Sequence, residues 1–167
     1  MYKSVCINTN DIVVDVACGN GRLLHMLTEK NPFHGYGTDI SEKMIEQARI
    51  LNPNMSFYVT GCEALPFKNG EIDVMTVCAA FHHFPNVQKF AEEAARVIKQ
   101  DGILYIAEVY LPTILRAMCN PFVKLSKAGD VRLYSPNDII SLFEGNGFVK
   151  NDVQINGKVQ MIKLQRK

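Results

Sequence analysis

The stretch that most constrains this chain is residues 12–27, IVVDVACGNGRLLHML. Ile12, Val13, Val14 and Val16 are apolar almost without a break, the pattern of a strand covered on both faces in a parallel sheet. Asp15 interrupts them near the strand's end. Ala17, Gly19 and Gly21 keep side chains out of a sharp turn, where a ligand can come up against bare backbone. Leu23, Leu24 and Leu27 then share one face of a helix, whose first N–H groups, unpaired within the helix, point towards whatever fills the turn.

The same alternation of strand and helix continues. Asn31-Pro32 breaks the chain, and residues 34–40 read as a second strand that ends in Asp39, with Ser41 as N-cap of a helix whose apolar face is Met44, Ile45, Ala48 and Leu51. Asp39 follows the glycine turn by close to the ~20 residues expected of a ribose-binding carboxylate, whose two oxygens can accept from both hydroxyls of one sugar. Residues 55–61 read as a third strand and 72–81 as a fourth, which leads into His82-His83-Phe84-Pro85. Val87, Phe90, Ala91, Ala94, Val97 and Ile98 define a long amphipathic helix, and 102–110 a fifth strand. Residues 111–134 show no regular pattern. Ser135-Pro136 opens a capped helix with a glycine exit at Gly145 and Gly147, and two final strands flank Asn156-Gly157, a type I′ hairpin signal.

Composition narrows the function. A length of 167 residues reads as one domain, 1–167, and a net charge of +1 gives no electrostatic argument for nucleic acid or an anionic membrane, so neither is expected as a partner. Residues 1–11 read as a short leader, so no N-terminal substrate cap is expected. Five cysteines without CxxC or zinc-type spacing, no membrane-length apolar run and no signal peptide lead us to expect a cytoplasmic protein with reduced thiols. A dinucleotide fingerprint, and with it an oxidoreductase, would need glycine where Leu24 stands.

Asp15-Val16-Ala17-Cys18-Gly19-Asn20-Gly21 resembles motif I of the class I S-adenosylmethionine-dependent methyltransferases, an acidic residue before a Gly-Cys-Gly-x-Gly turn, with Ala17 at the first glycine. Glu63-Ala64-Leu65-Pro66-Phe67 is similar to the tail of the Asp-Ala-Glu-x-Leu-Pro-Phe segment of the ubiquinone and menaquinone biosynthesis branch, with Gly61 at the aspartate and Cys62 at the alanine. His82-His83 resembles the family's Leu-His-His ending of the fourth strand, and residues 96–102 its Arg-Val-Leu-Lys-Pro-Gly-Gly junction. The resemblance implies an α/β Rossmann-like fold: a seven-stranded sheet of order 3-2-1-4-5-7-6, last strand antiparallel, with helices on both faces.

It also implies a site. S-adenosylmethionine would be held at its methionine end by Asp15, Ala17, Cys18, Gly19, Asn20 and Gly21, at its ribose by Asp39, and on one adenine face by Ile40 and Met44. Gly61, Cys62 and Glu63 would meet the ring edge, and Cys78 and Ala79 the methionyl group. His83, Glu108 and Tyr110 are the candidates facing the acceptor, with His83 as the base. The implied activity is in-line methyl transfer to a small-molecule acceptor, leaving S-adenosylhomocysteine, with no metal. A second copy or partner subunit covering the open site is one expectation, and a catalytically silent binding module is the alternative function. Cys18, Cys62 and Cys78, all at strand exits, also raise a thiol or metalloid acceptor.

Overall fold

In β1 (Ile12–Val16) successive side chains enter opposite cores: Val14 and Val16 pack with residues of one layer, and Val13 with the other. Both faces of the sheet are therefore covered, as the unbroken apolar run requires. On Val13's side lie α1 (Arg22–Leu27) and α2 (Glu42–Leu51), through Leu24, Leu27, Ile45 and Ala48. On the other side lie α3 (Val87–Val97) and, through Ile139, Ile140 and Phe143, α5 (Pro136–Glu144). The computed structural model describes residues 4–123, 129 and 131–167.

The remaining strands are β2 (His34–Asp39), β3 (Ser56–Val59), β4 (Ile72–Cys78), β5 (Ile98–Val109), β6 (Phe148–Asn156) and β7 (Val159–Arg166). Their order is β3-β2-β1-β4-β5-β7-β6, with β7 antiparallel to both of its neighbours and the other pairs parallel, as the resemblance implied. The carboxyl ends of β1, β2 and β4 therefore open on one side, where α/β sheets bind their ligands. Phe81, fully buried after β4, packs against Phe84, Phe90, Tyr134 and Phe143 and anchors a 3₁₀ turn, Phe81–His83, beside that opening.

Three local expectations need correction. β5 starts at Ile98 rather than Gly102: it pairs Ile72 with Ile98 and then Val74 with Ile103, and Asp101 at φ 64° absorbs the extra residues. Part of the stretch that lacks a pattern in sequence is α4 (Thr113–Val123), which contains Pro121; residues 124–128 and 130 of that stretch lie outside the described residues. The hairpin pairs Asn156 with Val159, so its central residues are Gly157 and Lys158. Positive φ at Gly157 alone fits the type II′ turn, one residue on from the Asn-Gly reading.

Candidate active site

The turn after β1 and the end of β2 are tied together. Asp39 Oδ2 accepts from the Gly19 N–H at 2.9 Å and Oδ1 from the Ser41 N–H at 2.9 Å, so the carboxylate is fixed by backbone on both oxygens and keeps lone pairs for a ligand. The Gly19 amide is engaged by this bond. Gly21, at φ 75°, caps α1; a Cβ there would lie 2.7 Å from Asn52 Nδ2 and 3.1 Å from the Ala48 Cβ, so α2 passes where only glycine fits. Asn52, itself buried, donates to the Gly21 carbonyl.

Ala17 (φ 56°) and Ala79 (φ 52°) end the adjacent strands β1 and β4 in left-handed conformations, which non-glycine residues adopt only under constraint. Beneath them Asp15 is 2 % exposed and accepts a 2.6 Å hydrogen bond from Thr76 Oγ1. Burial pushes its carboxyl up to about 7; the Thr76 bond opposes the shift and nearby Asp39 adds to it.

These strand ends floor a cleft of about 680 Å³. Ala17, Asp39, Ile40, Gly61, Cys62 and Glu63 line it from the β1–β3 side, and Cys78, Ala79 and His83 from the β4 side. Ile40 is 80 % exposed, an apolar side chain free to cover a flat ligand. A smaller recess of about 320 Å³ adjoins it, sharing Ala17 and Cys78 and adding Asp15, Cys18 and Arg22. Sequence reasoning missed Thr60, Ala64, Ala80, Phe84, Pro85 and Gly129, which complete the cleft. Their position next to the motif residues was the only signal available.

Several expected contacts fall outside it. Met44 is half-buried and its N–H goes to Ser41 Oγ in the cap of α2, while Asn20 is exposed beyond the lining. Tyr110 binds the Lys158 carbonyl through its N–H and does not reach the cleft. Glu108 does not face an acceptor: its side chain is 1 % exposed, with Oε1 at 2.7 Å from His82 Nδ1 and from the Val109 N–H, and Oε2 taking the His82 N–H. It fixes the turn that carries His83, whose ring lies 3.9 Å from that of His82. Burial is the main cause that raises the thiols of Cys18, Cys62 and Cys78, with Cys62 pushed up to about 12 by burial and then by Glu63. Among the described residues no cluster of three His, Cys, Asp or Glu could hold a metal ion.

A glycine-turned β1 exit, a backbone-fixed carboxylate on β2 and this strand order define the class I S-adenosylmethionine-dependent methyltransferase fold. The family pattern described as "Methyltransferase domain" matches residues 14–106, more than half of the chain, and the chain belongs to that family. An uncharacterized methyltransferase of Bacillus subtilis, YcgJ, is 29% identical over 163 residues, covering 92% of this chain and 63% of the relative. The demethylmenaquinone methyltransferase of Thermotoga maritima is 28% identical over 158 residues, covering 81% and 69%. The 2-methyl-6-phytyl-1,4-hydroquinone methyltransferase of Synechocystis is 35% identical over 99 residues, covering 58% and 31%. The chain thus spans less than two thirds of YcgJ and about a third of the Synechocystis enzyme. The YcgJ crystal structure superimposes with a TM-score of 0.87 at 21% identity, covering 100% of this chain and 96% of that one.

S-adenosylmethionine is the cofactor of this family, and the residues present suit it. Asp39 offers free lone pairs, Ile40 an apolar cover and Asp15 a buried carboxyl that a cationic ligand would ionise. At Gly61 there is room: a Cβ would meet only Ile40 Cγ2, at 3.8 Å.

Proposed function

We propose that this chain transfers a methyl group to a small hydroquinone that carries a hydrocarbon tail. The observation that carries the reading is the cleft itself, which a backbone-fixed Asp39 and His83 both line. When bound, S-adenosylmethionine supplies an electrophilic methyl carbon, so the protein has chiefly to align the acceptor and exclude water.

In this reading Asp39 takes the ribose hydroxyls, Ile40 covers one adenine face, and Cys62 and Glu63 meet the ring edge through their backbone. Asp15 ionises opposite the cofactor's positive charge, and the turn at 17–21 shapes the methionine end. His83 accepts the phenolic proton of the acceptor, which raises electron density on the neighbouring ring carbons; one of these carbons would take the methyl group as the carbon–sulfur bond breaks to leave S-adenosylhomocysteine, and the hydrogen it carried would leave as a proton to solvent as the ring regains aromaticity. Glu108 and His82 hold His83 in place without meeting the acceptor. Two relatives named for demethylmenaquinone and for a phytyl hydroquinone support this substrate class. A silent binding module has no observation in its favour.

The test is methyl transfer from radiolabelled cofactor to a reduced 1,4-hydroquinone, with and without an alkyl tail. Label appearing on a ring carbon, and falling at least about tenfold with His83→Ala, is the expected result. No transfer to either compound by a protein that binds the cofactor would sink the reading.

A further inference from the structure

The recess beside the main cleft carries both signs of charge. Its volume of about 320 Å³ lies within the roughly 300–1,000 Å³ of small-ligand sites, and it meets the cleft at Ala17 and Cys78, which line both. Leu23 and Met26 of α1 add apolar wall, while Asp15 and Arg22 bring opposite charges. Asp15 gives Oδ1 to Thr76, and its Oδ2 accepts no hydrogen bond among the described residues. Arg22, the first residue of α1, is exposed and has neither a hydrogen bond nor an ion pair among the described residues. It is also the only cation among the described residues that line the recess.

The backbone of the glycine turn is already spent. The Cys18 N–H donates to the Thr38 carbonyl at 2.9 Å, the Gly19 N–H to Asp39 at 2.9 Å and the Gly21 N–H to the Cys18 carbonyl at 3.0 Å. An anionic group that enters here therefore finds few main-chain donors, and needs a side chain in their place. A guanidinium suits a carboxylate because its planar fork can donate two parallel hydrogen bonds.

We propose that Arg22 binds the α-carboxylate of the cofactor's amino-acid tail, which occupies the recess with its ammonium group towards Asp15. The inference rests on the cofactor placement proposed above and is independent of the methyl acceptor. The adenosine then fills the main cleft, the sulfur sits where Ala17 and Cys78 join the two spaces, and the methylene carbons run past Leu23 and Met26. Opposite charges across one recess favour a zwitterion. A simple anion would meet Asp15, and a simple amine would leave Arg22 unused. The chain thereby selects adenosyl ligands that keep an intact amino-acid tail.

The test is titration calorimetry with three ligands: S-adenosylhomocysteine, its decarboxylated analogue with a 3-aminopropyl tail, and methylthioadenosine, which lacks the tail. The wild type is expected to bind S-adenosylhomocysteine at least about tenfold more tightly than the decarboxylated analogue. In Arg22→Gln the two are expected to bind within about twofold of each other, with methylthioadenosine held as in the wild type; Arg22→Lys should keep part of the difference. Equal binding of the first two ligands by the wild type, or a preference that survives Arg22→Gln, overturns the proposal. So does an equal loss of all three ligands in Arg22→Gln, which would mark a structural role. Free methionine offers the same zwitterion, and methionine binding that depends on Arg22 while S-adenosylhomocysteine binding does not would also overturn it. Asp39→Ala separates the two levels of the argument. If it weakens S-adenosylhomocysteine and Arg22→Gln does not, the cofactor placement stands and the role of Arg22 falls; if neither change matters, the placement itself is wrong.

Discussion

The two banks of the cleft are built on different principles. On the β1–β2 bank nearly every group is committed: Asp39 to two backbone N–H groups, Gly21 to the surface of α2, Asn52 to the Gly21 carbonyl, Asp15 to Thr76. On the other bank, formed by residues at and after the end of β4 and by Gly129, the commitments are fewer: α4, which precedes Gly129 in the chain, has no buried residue, and Gly129 has open space about it. A cofactor of fixed shape can be met by a rigid bank.

The sharpest way to break this contrast is to compare two left-handed glycines. Gly21→Ala adds a Cβ 2.7 Å from Asn52 Nδ2 at φ 75°, and is expected to cost about 3 kcal/mol of stability in denaturant melts. Gly129→Ala, at φ 78° with nothing within 4 Å, is expected to cost about 1 kcal/mol or less. Equal costs would show that the banks are alike. Next in size, Asp39→Ala is expected to weaken S-adenosylhomocysteine by on the order of 100-fold in titration calorimetry, through the loss of charge-assisted bonds to the ribose; unchanged affinity would refute the ribose assignment.

Asp15 sharpens the comparison through pH. Its folded pKa of about 7 lies above the ordinary value of 3.8, so its contribution to the stability of the ligand-free protein is complete below about pH 4 and is lost as pH rises through about 7. A cationic ligand reverses the preference, and S-adenosylmethionine affinity is expected to rise up to about tenfold from pH 6 to pH 8, with proton release. Asp15→Asn should flatten that slope; a slope that persists would move the titrating group elsewhere. The smallest effect is a gain: Gly61→Asp, entering open space, is expected to tighten the cofactor about threefold to tenfold by adding an acceptor for the adenine amino group. A loss of affinity would mean that the adenine lies elsewhere.

Much of the β1–β2 bank was legible in sequence because its signals are local. The apolar run, the glycine turn and Asp39 lie within one strand-helix-strand unit, and each residue's position follows from its place in it. Glu108 was read wrongly because the direction of a side chain at a strand end depends on register with another strand. The pairing of Cys78 with Ala107 turns Glu108 inward to His82, and nothing near either residue announces that. The helix α4 was hidden by Pro112 and Pro121, which read as breakers, and by a pattern whose apolar arc has no core behind it. The bulge in β5 and the one-residue shift of the hairpin turn are register effects of the same kind.

Ala17 and Ala79 set a limit on how this cleft can diversify. At φ 56° and 52° neither position tolerates a branched or bulky side chain, and glycine is the only replacement that relieves both. Descendants of this sequence therefore cannot narrow the chamber from below. Selection for a differently shaped cleft has to work on the walls, at positions such as Phe84, Pro85 and Gly129, while the floor stays as it is.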